Sequence, residues 1–468
     1  MSTERRDRRP VAHRFHRRYT AVVLVLAVVA ALAAVVGAQQ GPRLRDVSYD
    51  ASGLVSRPAQ RVILTANQAL ERVSADDVRV RPSAAHTVTS SGNTIAVEFT
   101  GPLAYDRDYT VTVAGVRAPG QRATADLIAS IRTGSTDVLA LVPGGGGAPD
   151  RIVRRSLDAG GVTTVHQAAD ITEYARLSRS LVVVSGSDAS SSVDVVPLRG
   201  GVQDASSEIE HITLPTARGR VTALHVADDG ASFGFEYADT STGQSRNTGL
   251  YVVDMTGTHM PTAIAEDGKP TTGAVPMTVG QWAYVPRTES ALVRTGSDDL
   301  VLVDMSGRAD PVRLGSATYL HGFVGTGTTA VVETGTGIVR LDLTDGAESA
   351  LQAPAASTDA PYLGRIAQLT DDTYLRVLGD VRVDGTISPR IVRVDGTRAS
   401  RLAVTLPDDA SVTAVCPSPN GQFVAVATKS ASDELVSIVD ATSGALEASI
   451  DAASVDWCGA LPSGDEIS

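Results

Sequence analysis

Lysine is all but missing from this 468-residue chain: Lys269 and Lys429 are two of its 41 basic residues, and the rest are arginine. Cysteine is as scarce, with two, and aromatic residues make up 4 %. Two cysteines exclude a disulfide-rich scaffold and a cysteine-based zinc cluster. So few aromatic rings leave little for extensive stacking platforms. Positive charge is lacking where nucleic acid would need it. The net charge is −12, yet residues 1–20 carry seven Arg against Glu4 and Asp7, so the remainder stands at −17. A body that acidic has no basic face to neutralise phosphates, which excludes a nucleic-acid partner. No H-E-x-x-H, G-x-S-x-G or EF-hand pattern occurs. The four-glycine run Gly144–Gly147 is followed by no Lys-Ser/Thr and so fails as a phosphate loop. The expectation is a protein with no catalytic residues, no cofactor and no resident metal.

What is present is globular: 43 % hydrophobic and 20 % charged residues, in a length suited to two or three domains. Apart from one segment, long apolar runs are also lacking. Residues 1–20 form a basic arm, and residues 21–38 read AVVLVLAVVAALAAVVGA without a charge. Eighteen helical residues span about 27 Å, close to a hydrocarbon core of ~30 Å. Arginine-rich flanks stay cytoplasmic, so this reading gives a single-pass signal anchor with everything after Gln39 extracytoplasmic. The alternative is a secretory signal cleaved near Ala38. Both readings export the body.

Residues 42–134 alternate with period two, as in RVILT around Val62 and Leu64, TIAVEF (residues 94–99) and YTVTV (residues 109–113). Turn signals at Ser91-Gly92-Asn93, Gly101-Pro102 and Ala118-Pro119-Gly120 divide the segment into about seven short strands, a β-sandwich pattern. Pro102-Leu103 followed by Tyr109-Thr110-Val111-Thr112-Val113 resembles the late motif of bacterial Ig-like domains of surface-layer type. The early step Ala66-Asn67-Gln68-Ala69-Leu70 has Ala where that family has Pro. The resemblance implies a spacer or presentation domain without an active site. Tyr109 either ties a corner through its hydroxyl or simply packs at a strand start.

Residues 137–468 repeat an apolar strand that usually ends in Asp. The strands start at 152, 193, 250, 300, 338, 391 and 435, as in LYVVD (residues 250–254) and LVLVD (residues 300–304). Spacings near 40–50 residues with β texture point to four-stranded propeller blades. The segment resembles degenerate WD-repeat or YVTN-type β-propellers, although WD dipeptides are absent. Seven anchors predict seven blades, with six or eight as alternatives. Ser454–Gly464 reads as an inner strand and turn, and residues 137–167 as three strands, so the closing blade is expected to combine the two. The predicted fold class is therefore all-β: an Ig-like sandwich, then a propeller, behind one transmembrane helix.

Cys416 and Cys458 fall at inner-strand positions of consecutive blades, offset by one residue. Blades converge toward the axis, where Cα atoms come close enough to bridge, so a Cys416–Cys458 disulfide is expected. Two separate buried thiols are the alternative. Glu208, Glu210 and His211 are the nearest approach to a metal cluster, but a strand would send His211 to the face opposite the two acids. The regular Asp at each strand end argues for turn chemistry. These readings point to a membrane-anchored, extracytoplasmic, non-enzymatic binding or scaffold protein of the bacterial cell envelope. Its expected partner is an envelope protein held on propeller loops. The alternatives are an exported propeller hydrolase or lyase, and a sensory subunit of an envelope signalling or transport system.

Overall fold

The computed structural model describes residues 18–29, 41–158, 160–187, 189–241, 248–383, 387–406, 410–431, 433–460 and 462. Residues 18–29 are helical, and the second half of the expected membrane span lies outside the described residues. Among the described residues no helix is long and apolar enough to cross a membrane. The chain divides into two compact units, Met1–Gly134 and Ser135–Ser468.

In the first unit, β1 (Leu44–Ser48), β2 (Gln60–Ala66), β3 (Val78–Arg81), β4 (His86–Ser91), β5 (Thr94–Phe99), β6 (Asp108–Arg117) and β7 (Thr124–Arg132) form two antiparallel sheets. Their orders are β1-β2-β5-β4 and β3-β6-β7. Register pairs Val62 with Val97 and Leu64 with Ile95 in one sheet, and Val111 with Ala129 in the other. All six side chains join one buried core with Phe99 and Ile131. Alternation therefore sends one face of each sheet inward, the sandwich arrangement. The Tyr109 hydroxyl accepts the Ala104 N–H at 3.2 Å, tying the corner that leads into β6.

The second unit is a ring of seven antiparallel sheets, here called blades. Blades 1 to 6 follow chain order, with inner strands Ile171–Arg176, Gly219–Val226, Val279–Tyr284, Tyr319–Phe323, Tyr362–Thr370 and Ser411–Pro417. Blade 7 takes Asp137–Val142, Asp150–Ser156 and Val162–Ala168 from the start of the unit and its inner strand, Ser454–Val455, from the end. Buried clusters lie between successive blades all the way round, including one between blades 6 and 7 and one between blades 7 and 1. The sheet order and the unbroken circle of cores make this a closed β-propeller, without an open first or last sheet edge.

Each of the seven repeats supplies the third strand of one blade, for example Gly249–Asp254 in blade 2 and Asp299–Asp304 in blade 3, which both end in Asp. In blades 2 and 3 the stacked neighbours bury both faces of this strand, which is why it reads there as a near-continuous apolar run. The terminal Asp then folds the turn. Asp254 Oδ1 accepts from Thr256 N at 2.8 Å and Oγ1 at 2.7 Å, and Asp304, Asp342 and Asp440 repeat the arrangement. These bonds hold the Asp254 and Asp342 carboxyls below their usual range.

Cys416 and Cys458 are disulfide-bonded, with Cα atoms 5.0 Å apart. One detail differs from the expectation: Cys458 is not on the inner strand. That strand stops at Val455, and Asp456–Ala460 winds into a 3-10 turn. Asp456 Oδ1 accepts the Leu139 N–H at 3.0 Å, and Trp457 drops into the blade 6–blade 7 core, so the chain turns away from the sheet.

Candidate functional site

The inner strands of blades 1 to 6 share a departure from regular pairing. Register breaks fall at Ile171/Glu173, Thr222/His225, Val279/Gln281, Leu320/Gly322, Leu363/Ile366 and Val412/Ala414. A bulge leaves backbone groups unpaired and re-aims side chains, and buried backbone groups need partners. Side chains from the preceding blade supply them. The Glu173 carboxylate of blade 1 accepts from Ala223 N at 3.0 Å and Leu224 N at 2.7 Å in blade 2. Gln281 Oε1 of blade 3 accepts from Leu320 N in blade 4 at 2.8 Å. His321 Nδ1 of blade 4 accepts from Ile366 N in blade 5 at 3.1 Å.

These bonds fix protonation states. Because Nδ1 of His321 receives an N–H, the neutral ring carries its proton on Nε2, which lies 3.6 Å from Glu333 Oε2. Burial pushes the His321 imidazole down, and contact with His321 holds the Glu333 carboxyl below its usual range. Burial raises Glu173, against the two N–H groups that favour its charged form.

Inside this circle lies an axial cavity of about 680 Å³. Thr172, Thr222, Gly280, Tyr319, Tyr362 and Val412 line it, each from the leading half of its inner strand, together with Glu236 and Glu333 from the second strands. Arg365 joins them, its guanidinium 5.8 Å from the Tyr319 ring centroid and its Nε donating to the Tyr319 hydroxyl at 3.2 Å. With Tyr174, Tyr319 and Tyr362 all in its lining, the cavity offers carboxylates, one guanidinium and three phenols in a partly apolar wall.

The C-terminal turn reaches across the cavity from blade 7. Cys458 is bonded to Cys416 of blade 6. The Gly459 carbonyl accepts from His225 Nδ1 of blade 2 at 2.8 Å, and the Pro462 carbonyl from Arg365 Nη2 of blade 5 at 3.0 Å. His225 stands edge-on to Trp282, ring centroids 4.6 Å apart, and its Nε2 has no hydrogen-bond partner among the described residues. Burial pushes His225 down to about 4.

Sequence reading picked out the disulfide pair but none of Glu173, Gln281, His225, His321 or Arg365. The available signal was a single strongly polar residue within an otherwise apolar inner strand, as in VGQWAY (residues 279–284) and YLHGF (residues 319–323). The acids and His around residue 210 part company: His211 Nδ1 contacts Asp194, and Glu210 contacts His259 Nδ1. Among the described residues no group of three or more His, Cys, Asp or Glu is placed to hold a metal ion.

No protein-family model matches the chain, and no curated protein sequence matches it. Solved structures do. An oligogalacturonate lyase from Vibrio parahaemolyticus is 10 % identical, with 83 % of this chain and 95 % of that chain covered at a TM-score of 0.43. TolB from Acinetobacter baumannii is 13 % identical over 82 % of each chain, at 0.38. A periplasmic gluconolactonase from Pseudomonas aeruginosa is 14 % identical, covering 68 % of this chain and 98 % of that chain, at 0.39.

Proposed function

We propose that this protein is a membrane-anchored binding or scaffold protein of the bacterial cell envelope. Its propeller holds a protein partner at the mouth of the axial cavity without turning it over. The observation that carries this reading is the cavity itself: it has walls of mixed polarity, to which Glu236 and Glu333 of the second strands contribute carboxylates. The acidic body favours a basic or neutral partner. The arginine-rich arm and the apolar run after it support the anchor. The two-sheet sandwich with its Tyr109–Ala104 tie supports an Ig-like spacer.

A second reading, an exported hydrolase or lyase, is favoured by Glu173, a buried carboxyl with a raised pKa at the cavity wall. Against it, both Glu173 oxygens are engaged by backbone N–H groups. The test is affinity capture from envelope extracts with the wild-type body and with a Glu236→Arg/Glu333→Arg variant. The binding reading expects a stoichiometric protein partner that the variant loses. Turnover of an envelope glycan that is abolished by Glu173→Gln would establish the enzyme instead.

A further inference from the structure

We propose that the Cys416–Cys458 disulfide is a redox latch holding the C-terminal turn across the axial cavity, and that a dithiol reductant releases the turn without opening the ring. The inference concerns the cavity floor alone and does not depend on what the cavity binds.

The base of the turn is secured independently of the sulfurs. Ser454 and Val455 pair with Leu141 and Ala140, Ala453 N donates to Leu141 O at 2.8 Å, and Asp456 receives Leu139 N–H. Beyond Trp457 the ties change character. Apart from the disulfide, the described hydrogen bonds that span the cavity are the two from His225 to Gly459 and from Arg365 to Pro462. Each exchanges for water when broken, so neither alone fixes a chain segment. The covalent link to blade 6 therefore decides whether the tip stays.

The two cysteines differ in access. Cys416 is fully buried between blades, whereas Cys458 is partly exposed and lines the cavity. Attack is thus directed at Cys458. A thiolate of the dithiol bonds to Cys458 Sγ, the S–S bond breaks, and Cys416 leaves as a thiolate that takes up a proton. The second thiol of the reductant then closes its own disulfide and releases Cys458 as a thiol. Two electrons and two protons pass from the dithiol to the protein. Release would bare the His225 N–H and the Arg365 guanidinium to the cavity, adding two donors to its wall.

The experiment is hydrogen–deuterium exchange and native thiol alkylation on the full chain, oxidised and dithiol-treated, with a Cys416→Ser/Cys458→Ser variant as a reductant-free mimic. Exchange across 454–460 is expected to rise about tenfold or more in the reduced chain and in the variant, while the second strands of all blades keep their protection. Cys458 is expected to alkylate well before Cys416. Unchanged exchange in both samples would overturn the proposal, because the turn would then be held without the bond. A rise throughout the seven blades would overturn it equally, because the bond would then be a staple of the ring.

Discussion

His225 and Gly459 meet across 234 residues of chain, the imidazole Nδ1–H donating to the carbonyl at 2.8 Å. The bond joins blade 2 to the segment that closes blade 7, over the axis of the ring. It also fixes the tautomer: with the proton on Nδ1, the buried Nε2 is the only place for a second, and burial holds that pKa down to about 4. An unfolded histidine titrates near 6.5, so between about 4 and 6.5 the unfolded chain binds more protons and stability rises with pH. The stability advantage of wild type over His225→Gln is expected to be full above 6.5 and to shrink as pH falls toward 4. Thermal melts over that range measure it.

Asp456 titrates with the opposite sign. Burial raises it to about 7, against the Leu139 N–H that favours the charge. Between its unfolded value near 3.8 and 7 the folded state holds the extra proton, so stability is full at the acid end and is lost as pH rises through the window. Asp456→Asn keeps an oxygen for Leu139 and is expected to be more stable than wild type at pH 8 by about 1–3 kcal/mol. The gap should close near pH 4. Over the shared window the two residues offset each other, so wild type should vary less with pH than either variant.

Glu173→Leu tests the ties between inner strands. It leaves the Ala223 and Leu224 N–H groups buried without acceptors, and a loss of about 2–4 kcal/mol is expected in denaturant titration. Glu173→Gln retains one acceptor oxygen and should lose less than half as much. Equal losses would mean that packing, not hydrogen bonding, sets the role of this side chain.

Trp282 is fully buried and packs edge-on against both His225 and Tyr284. Trp282→Ala is expected to cost about 3–5 kcal/mol. The loss should appear in the melt of the propeller and leave that of the sandwich unchanged.

Much of the propeller was legible because its physics is local. Leu300–Asp304 and Leu250–Asp254 are buried on both faces, so burial wrote itself into uninterrupted apolar runs. Asp254, Asp304 and Asp440, which end three of the repeats, each fold a turn by accepting from residues two or three positions on. Cys416 and Cys458 were legible as a pair because both lie near the inner end of neighbouring blades. The cavity was not legible. Glu173, Gln281 and His321 meet N–H groups 50, 39 and 45 residues on, which bulges expose and no sequence pattern marks. Gly459 and Pro462 act through their carbonyls, which every residue has. Val455-Asp456-Trp457 alternates like a strand, yet the Asp456 bond to Leu139 turns the chain there, so Cys458 was assigned to the wrong element.

The most direct test of binding at the axial cavity is a hydrogen-exchange footprint of the propeller with its captured envelope partner bound. Protection is expected at the leading ends of the inner strands, around Thr172, Thr222, Tyr319 and Tyr362, and it should be lost in the Glu236→Arg/Glu333→Arg variant. Protection confined to outer strands, with the cavity mouth unchanged and binding intact in that variant, would contradict the account.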